Sequence, residues 1–190
     1  MGWTNETFKP KYPIIARDVY GMFQGTSITE IKDIDFSPAT AFNSVFAYST
    51  KVLKIGEINV PKATRMEVTF NGCTNLHTIA KITVSESCAF TSTFNNCSAL
   101  KNVAFDGVIG NSISFSACTK LTKDSITSII NHLSDTASGK TLTLSITAVK
   151  NAFEGSTWDS DGDGKADTVM GSEEWVDLQN TKLNWTITLV

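Results

Sequence analysis

The chain has 190 residues, 41 % of them apolar and 18 % charged, which suits a single folded domain and excludes both intrinsic disorder and a collagen-like composition. A formal net charge of -3 and a pI near 5.4 provide no basic field for releasing counterions from nucleic acid, so no nucleic-acid partner is expected. Abundant Thr and Ser beside 11 Phe and only 4 Pro suit a pleated, half-buried β surface better than helices.

Residues 1–18 read as a lead-in without the apolar core of a signal peptide, and no stretch reaches the roughly 18 apolar residues of a membrane span. No membrane insertion is expected. The chain reads either as a virion component made without a secretory signal or as an excised piece of a larger exported protein, so the expected location is extracellular, at a cell surface or in a virion.

Residues 19–121 carry a repeat. Phe46, Val52 and Ile55 align without gaps to Phe70, Leu76 and Ile79, and those to Phe94, Leu100 and Val103; a fourth copy starts at Phe115 with Cys118 and Leu121, and an earlier one near Met22 or Phe23 carries Ile28 and Ile31. A period of about two dozen residues suits one solenoid coil per repeat. The alternating pairs Ile34 and Phe36, Ile58 and Val60, and Ile82 and Val84 predict short strands, while Phe42, Met66 and Phe90 place apolar groups on the return side of each coil. No repeat buries its own face; stacking at strand spacing builds one core.

Residues 122–190 leave the pattern and predict a mixed α/β cap over the open end of the stack. Ile126, Ile129, Ile130 and Leu133 have helical spacing, with Thr122 or Asp124 available as N-cap. Lys140 to Thr147 alternates as a strand, a short helix is expected around Ala148 to Phe153, a helix over Glu173 to Lys182 presents Trp175 and Leu178, and Asn184 to Val190 alternates as a closing strand. Between them Asp159, Asp161 and Asp163 stand at the first, third and fifth positions of an EF-hand-like loop. Gly164 takes the turn position, Lys165 the carbonyl position and Asp167 the ninth. The twelfth position is Met170 rather than a bidentate Glu; Glu173, Glu174 or Asp167 could close the site. The segment reads either as a structural calcium site or as a solvated acidic turn.

Cys73, Cys97 and Cys118 share one phase of the repeat, which predicts an inward column of small apolar thiols, with neighbours within disulfide range if oxidised. No Cys-x-x-Cys knuckle, Gly-x-Ser-x-Gly elbow, His-Glu-x-x-His pair, phosphate loop or dinucleotide fingerprint is present.

The segments FNGCTNLHTI, FNNCSALKNV and FSACTKLT resemble the BspA-like branch of the leucine-rich-repeat families, whose repeats carry Phe, Cys and Leu at this spacing. KTLTLSIT and NWTITLV are also similar to the C-terminal segments of repeat proteins from gut bacteria and their phages. The resemblance implies an α/β, β-rich repeat protein: a leucine-rich-repeat-type solenoid of about five coils with a mixed α/β C-terminal cap. It implies adhesion or protein recognition on a cell surface or virion, without a reaction. The expected contact surface is the set of outward strand residues Asp33, Asp35, Glu57, Asn59, Lys81 and Thr83. A structural role in a phage or surface assembly is the second reading. The carboxylates of Asp33, Asp35 and Glu57 leave a carbohydrate-active enzyme as a third.

Overall fold

The computed structural model describes residues 7–153 and 173–190. Strands β1 (Thr7–Phe8), β2 (Glu30–Ile31), β3 (Ile34–Asp35), β4 (Lys54–Asn59), β5 (Thr78–Val84) and β6 (Asn102–Gly107) form one sheet in the order β1-β2-β4-β5-β6, with β3 also on β4. Strand β7 (Ile113–Phe115) is followed by helix α1 (Lys123–Asn131), strand β8 (Lys140–Leu144), helices α2 (Ile146–Ala152) and α3 (Glu173–Asn180), and strand β9 (Trp185–Leu189). Strands β7, β8 and β9 form a second sheet in that order. Every strand pair in both sheets is parallel.

The repeat sets the register of the first sheet. Ile31 pairs with Ile55, Ile55 with Ile79, and Ile79 with Val103, each step 24 residues long; Ile34, Ile58 and Ile82 follow the same spacing. All seven side chains are buried, and their β-branched shape favours the extended backbone they occupy. A parallel sheet needs a covering layer on its inner face. Here that layer is a Phe column, four rings from the return segments and the last from β7: Phe23, Phe46, Phe70, Phe94 and Phe115 stack with centroids 5.4, 5.5, 5.3 and 4.4 Å apart and rings within 24° of parallel.

The return segments have an unusual backbone. Gly21, Ser44, Val68 and Ser92 have positive φ, and so do Gly25, Tyr48, Gly72 and Asn96, four residues further on in each repeat. Left-handed residues at these positions turn alternate peptide planes the same way. The amides of Phe42, Ser44, Phe46 and Tyr48 therefore all donate to the next repeat, reaching the carbonyls of Arg65, Glu67, Thr69 and Asn71 at 2.7–3.0 Å. Met66, Val68, Phe70 and Gly72 do the same to Ala89, Thr91, Thr93 and Asn95.

This architecture corrects the expected leucine-rich-repeat-type solenoid of about five coils. The described residues form an α/β fold with two separate parallel sheets and three helices, not one continuous stack with a cap. The 24-residue step runs only as far as β6. From Phe94 to Phe115 is 21 residues, and the segment that places Phe115 over Phe94 is the extended strand β7, which pairs with β8 and opens the second sheet. Helix α1 stands beside β6 instead of a further strand. Its Ser125 Oγ accepts from the Val103 amide at 2.9 Å and donates to the Lys101 carbonyl at 3.1 Å, while Ser128 Oγ accepts from the Phe105 amide at 3.1 Å. Hydroxyls of a helix thus stand in for strand partners.

Thr122 is the N-cap of α1, accepting from the Ser125 amide, and Ile126, Ile129 and Ile130 are buried as their spacing requires. Residues 182–185 tie the last strand to the loop after α1. Lys182 Nζ, itself buried, donates to the Leu133 carbonyl and to Asp135, and the Trp185 indole donates to the Ser134 carbonyl.

All four cysteines are buried and none is in a disulfide. The thiols of Cys73 and Cys97 donate to the carbonyls of Phe46 and Phe70 at 3.0 and 3.1 Å, the place that Ser49 Oγ fills one repeat earlier against Phe23. Burial pushes Cys73, Cys88 and Cys118 up to about 12 and Cys97 further still, so these are unreactive thiols at neutral pH.

Candidate binding face

The outer face of the six-stranded sheet collects the polar side chains that alternate with the buried isoleucines. Parallel pairing puts equivalent residues side by side, in steps of 24 residues from β2 to β5 and with a shift of one residue along the β5–β6 pair, so this face is a set of rows running across the strands. One row holds Asp35, Asn59, Thr83 and Asp106. Asn59 Nδ2 donates to Asp35 Oδ1 at 2.9 Å, and Thr83 Oγ1 donates to Asp106 Oδ2 at 3.4 Å. The Ser37 amide also donates to Asp35, and it is the first cause, ahead of Asn59, of a carboxyl held below its usual range against the opposing effect of burial.

A second row holds Asp33, Glu57 and Lys81. The Glu57 carboxylate meets Lys81 Nζ at 3.2 Å, and Asp33 Oδ1 accepts from the Glu57 amide at 2.8 Å. The Asp33 carboxylate reaches that amide because residue 56 is glycine: a Cβ there would lie 2.2 Å from Asp33 Oδ1 and 2.6 Å from the Asp33 nitrogen. A third row holds Glu30, Lys54, Thr78 and Asn102. Lys32 donates to Glu30 at 2.5 Å, which with the charges of Lys32 and Lys54 keeps that carboxyl low. Asn102 Nδ2 reaches Thr78 Oγ1 at 3.5 Å.

The third row ends in a hollow. Thr78, Ala80, Asn102 and Ala104 of the two last strands and Asp124 and Ser125 at the start of α1 surround a cavity of about 280 Å³. Asp124 is exposed, in the first turn of the helix, where the backbone amides favour an anion.

All six residues expected from the sequence, Asp33, Asp35, Glu57, Asn59, Lys81 and Thr83, lie on this one face. They form two rows rather than three separate pairs. Sequence reasoning missed Glu30, Lys54, Thr78, Asn102 and Asp106; the first four were within reach of the same 24-residue step, since residues 30, 54, 78 and 102 are one period apart. The Asp124 side of the hollow carries no such signal, because it depends on a helix replacing a strand. Asp159, Asp161, Asp163, Lys165 and Asp167 lie outside the described residues. Among the described residues no group of three or more His, Cys, Asp or Glu could hold a metal ion. No helix among them is long and apolar enough to cross a membrane.

No protein-family model matches this chain, and no curated protein or solved structure matches it either.

Proposed function

We propose that the outer face of the six-stranded sheet is a non-catalytic recognition surface for a protein or cell-surface ligand, used in adhesion. The observation that carries this reading is the row structure: polar side chains from successive repeats are held by one another and by backbone amides before any ligand arrives. A preorganised surface spends less free energy on ordering side chains when it binds. Rows of donors and acceptors about one strand apart suit an extended ligand with a matching repeat. The location that goes with this reading is extracellular, at a cell surface or in a virion. Calcium held by Asp159, Asp161, Asp163, Lys165 and Asp167 would have a structural role there.

The test is flow cytometry of intact bacterial and epithelial cells with the labelled full-length chain and with a Glu57→Lys, Lys81→Glu, Thr83→Arg variant. Exchanging the two charges keeps a possible ion pair while reversing the pattern, and melting temperature checks that the variant folds. Saturable binding by the parent chain, weakened at least tenfold in the variant, is the expected result. Equal binding by both proteins would remove the sheet face from the interaction. A second reading, a structural component of a phage or surface assembly, is favoured by β9, which among the described residues pairs only with β8 and is flanked by exposed Leu183 and Val190. It predicts concentration-dependent self-association in sedimentation.

A further inference from the structure

Tyr48 stands at φ 59° on a return segment and is 57 % exposed, yet its ring is held in place. The Cδ1–Cε1 edge lies over Gly72, one repeat on, so closely that a Cβ there would come within 2.8 Å of Cδ1 and 3.4 Å of Cε1. The hydroxyl accepts from Asn71 Nδ2 at 3.3 Å, and the Tyr48 amide donates to the Asn71 carbonyl at 2.7 Å. Backbone, ring edge and hydroxyl are thus each fixed to the same neighbouring turn. One repeat earlier the equivalent residue is Gly25, where a Cβ would meet nothing within 4 Å, so no side chain of this column flanks the ring on that side.

Stability does not explain the arrangement. A left-handed backbone favours glycine, which fills this place at Gly25 and Gly72. Asn71 holds the hydroxyl while its own Oδ1 is buried without a hydrogen-bond partner, and an unpaired buried acceptor costs stability. A ring that remains more than half exposed recovers little by burial. What the arrangement yields is a rigid aromatic surface open to solvent.

Polar groups without charge lie beside it. The Gly72 amide donates to the Asn95 carbonyl at 2.9 Å, which brings Asn95 and Asn96 to the turn next to the ring; both are exposed, and neither side chain makes a hydrogen bond among the described residues. No residue of 68–76 or 88–100 is charged, so these two turns select neither an anion nor a cation.

We propose that Tyr48, with Asn95 and Asn96, is a carbohydrate-binding site for a neutral, β-linked pyranose of glucose configuration. Such a sugar presents a face of axial C–H groups, which the negative face of an aromatic ring attracts and shields from water. Its equatorial hydroxyls are donors and acceptors at the rim, and primary amides supply both partners. A charged peptide finds no counterion here. A proline-rich peptide docks in a groove lined by several aromatic rings, whereas the other places in this column are Gly25, Gly72 and Asn96. The site lies on the return segments, apart from the outer sheet face, and does not depend on the function proposed for that face.

The test titrates the ¹⁵N-labelled full-length chain with cellotetraose, and with chitotriose in a parallel series. Millimolar sugar is expected to move the amide resonances of Tyr48, Gly72, Asn95 and Asn96 saturably with at least one of the two. Tyr48→Gly removes the ring at a backbone angle that glycine prefers, so the melting temperature should hold while affinity falls roughly tenfold. Tyr48→Phe keeps the ring and loses only the hydroxyl's bond to Asn71, and should bind about threefold more weakly. No shift with either sugar, shifts confined to other surfaces, unchanged affinity in Tyr48→Gly, or a stronger response of the same resonances to hexaproline would each overturn the proposal.

Discussion

Val68 sits at φ 60°, half-buried, in a column whose other members are Gly21, Ser44 and Ser92. A left-handed backbone costs a residue with a Cβ about 1–2 kcal/mol, and a β-branched one carries the larger strain. Asn tolerates this region better because its short polar side chain bonds locally. Val68→Asn is therefore expected to raise stability by about 1 kcal/mol in urea unfolding, and a lower midpoint would show that packing of the Val68 methyls outweighs the strain. The same column explains what the sequence hides at this scale. Gly is the usual mark of a left-handed residue, yet here Ser, Tyr, Val and Asn fill five of the eight positions, so the alternating-handed return segments leave almost no trace in composition. The inward residues were legible because burial selects strongly for side-chain type; the backbone hand was not, because the ladder of amides that enforces it appears only when neighbouring repeats meet.

Helix α1 was legible from Ile126, Ile129 and Ile130, and it begins directly after Thr122, one of its two expected N-caps. Its task was not. Ser125 and Ser128 read from the sequence as ordinary polar positions of an amphipathic helix, while in the fold they take the place of a strand at the edge of β6. Ser125→Ala decides how much this matters. Ala is the better helix former by roughly 0.5 kcal/mol, but the substitution leaves the buried Val103 amide without a partner, at a cost of about 1–3 kcal/mol, while the Lys101 carbonyl keeps only the Thr122 amide. A net loss of stability is expected, with faster hydrogen exchange at the Val103 amide. A stabilised variant with unchanged exchange would mean that the edge is closed by something other than the hydroxyl.

At the scale of the molecule, the strands and their register could be read from the periodic apolar residues, whereas the division into two sheets could not. Phe115 keeps its place in the aromatic column, so the residues around it read as one more copy; the change from an alternating-handed return segment to the extended Ile113–Phe115 hands the chain to β8, and that is a property of backbone shape. Calcium held by residues 159–167, as proposed, would bear on the whole molecule in another way, since a metal bound to the folded state alone stabilises it by mass action. Calorimetric titration with calcium is expected to give saturable heat and a raised melting temperature, both lost in Asp161→Ala. No heat would reduce the segment to an acidic turn.

The 24-residue spacing from β2 to β5 also bears on how the gene can change length. Because Phe46 and Phe70 occupy equivalent places, removing residues 47–70 joins the chain without altering which side chain faces inward on either side of the join. Such a protein should fold, one strand narrower and less stable. Removing residues 47–69 instead shifts everything downstream by one position, turns the buried isoleucines of β5 outward, and should not fold. Unequal recombination would then shorten or lengthen this protein only in steps of a whole repeat, and circular dichroism with thermal melting of the two deletions separates the outcomes.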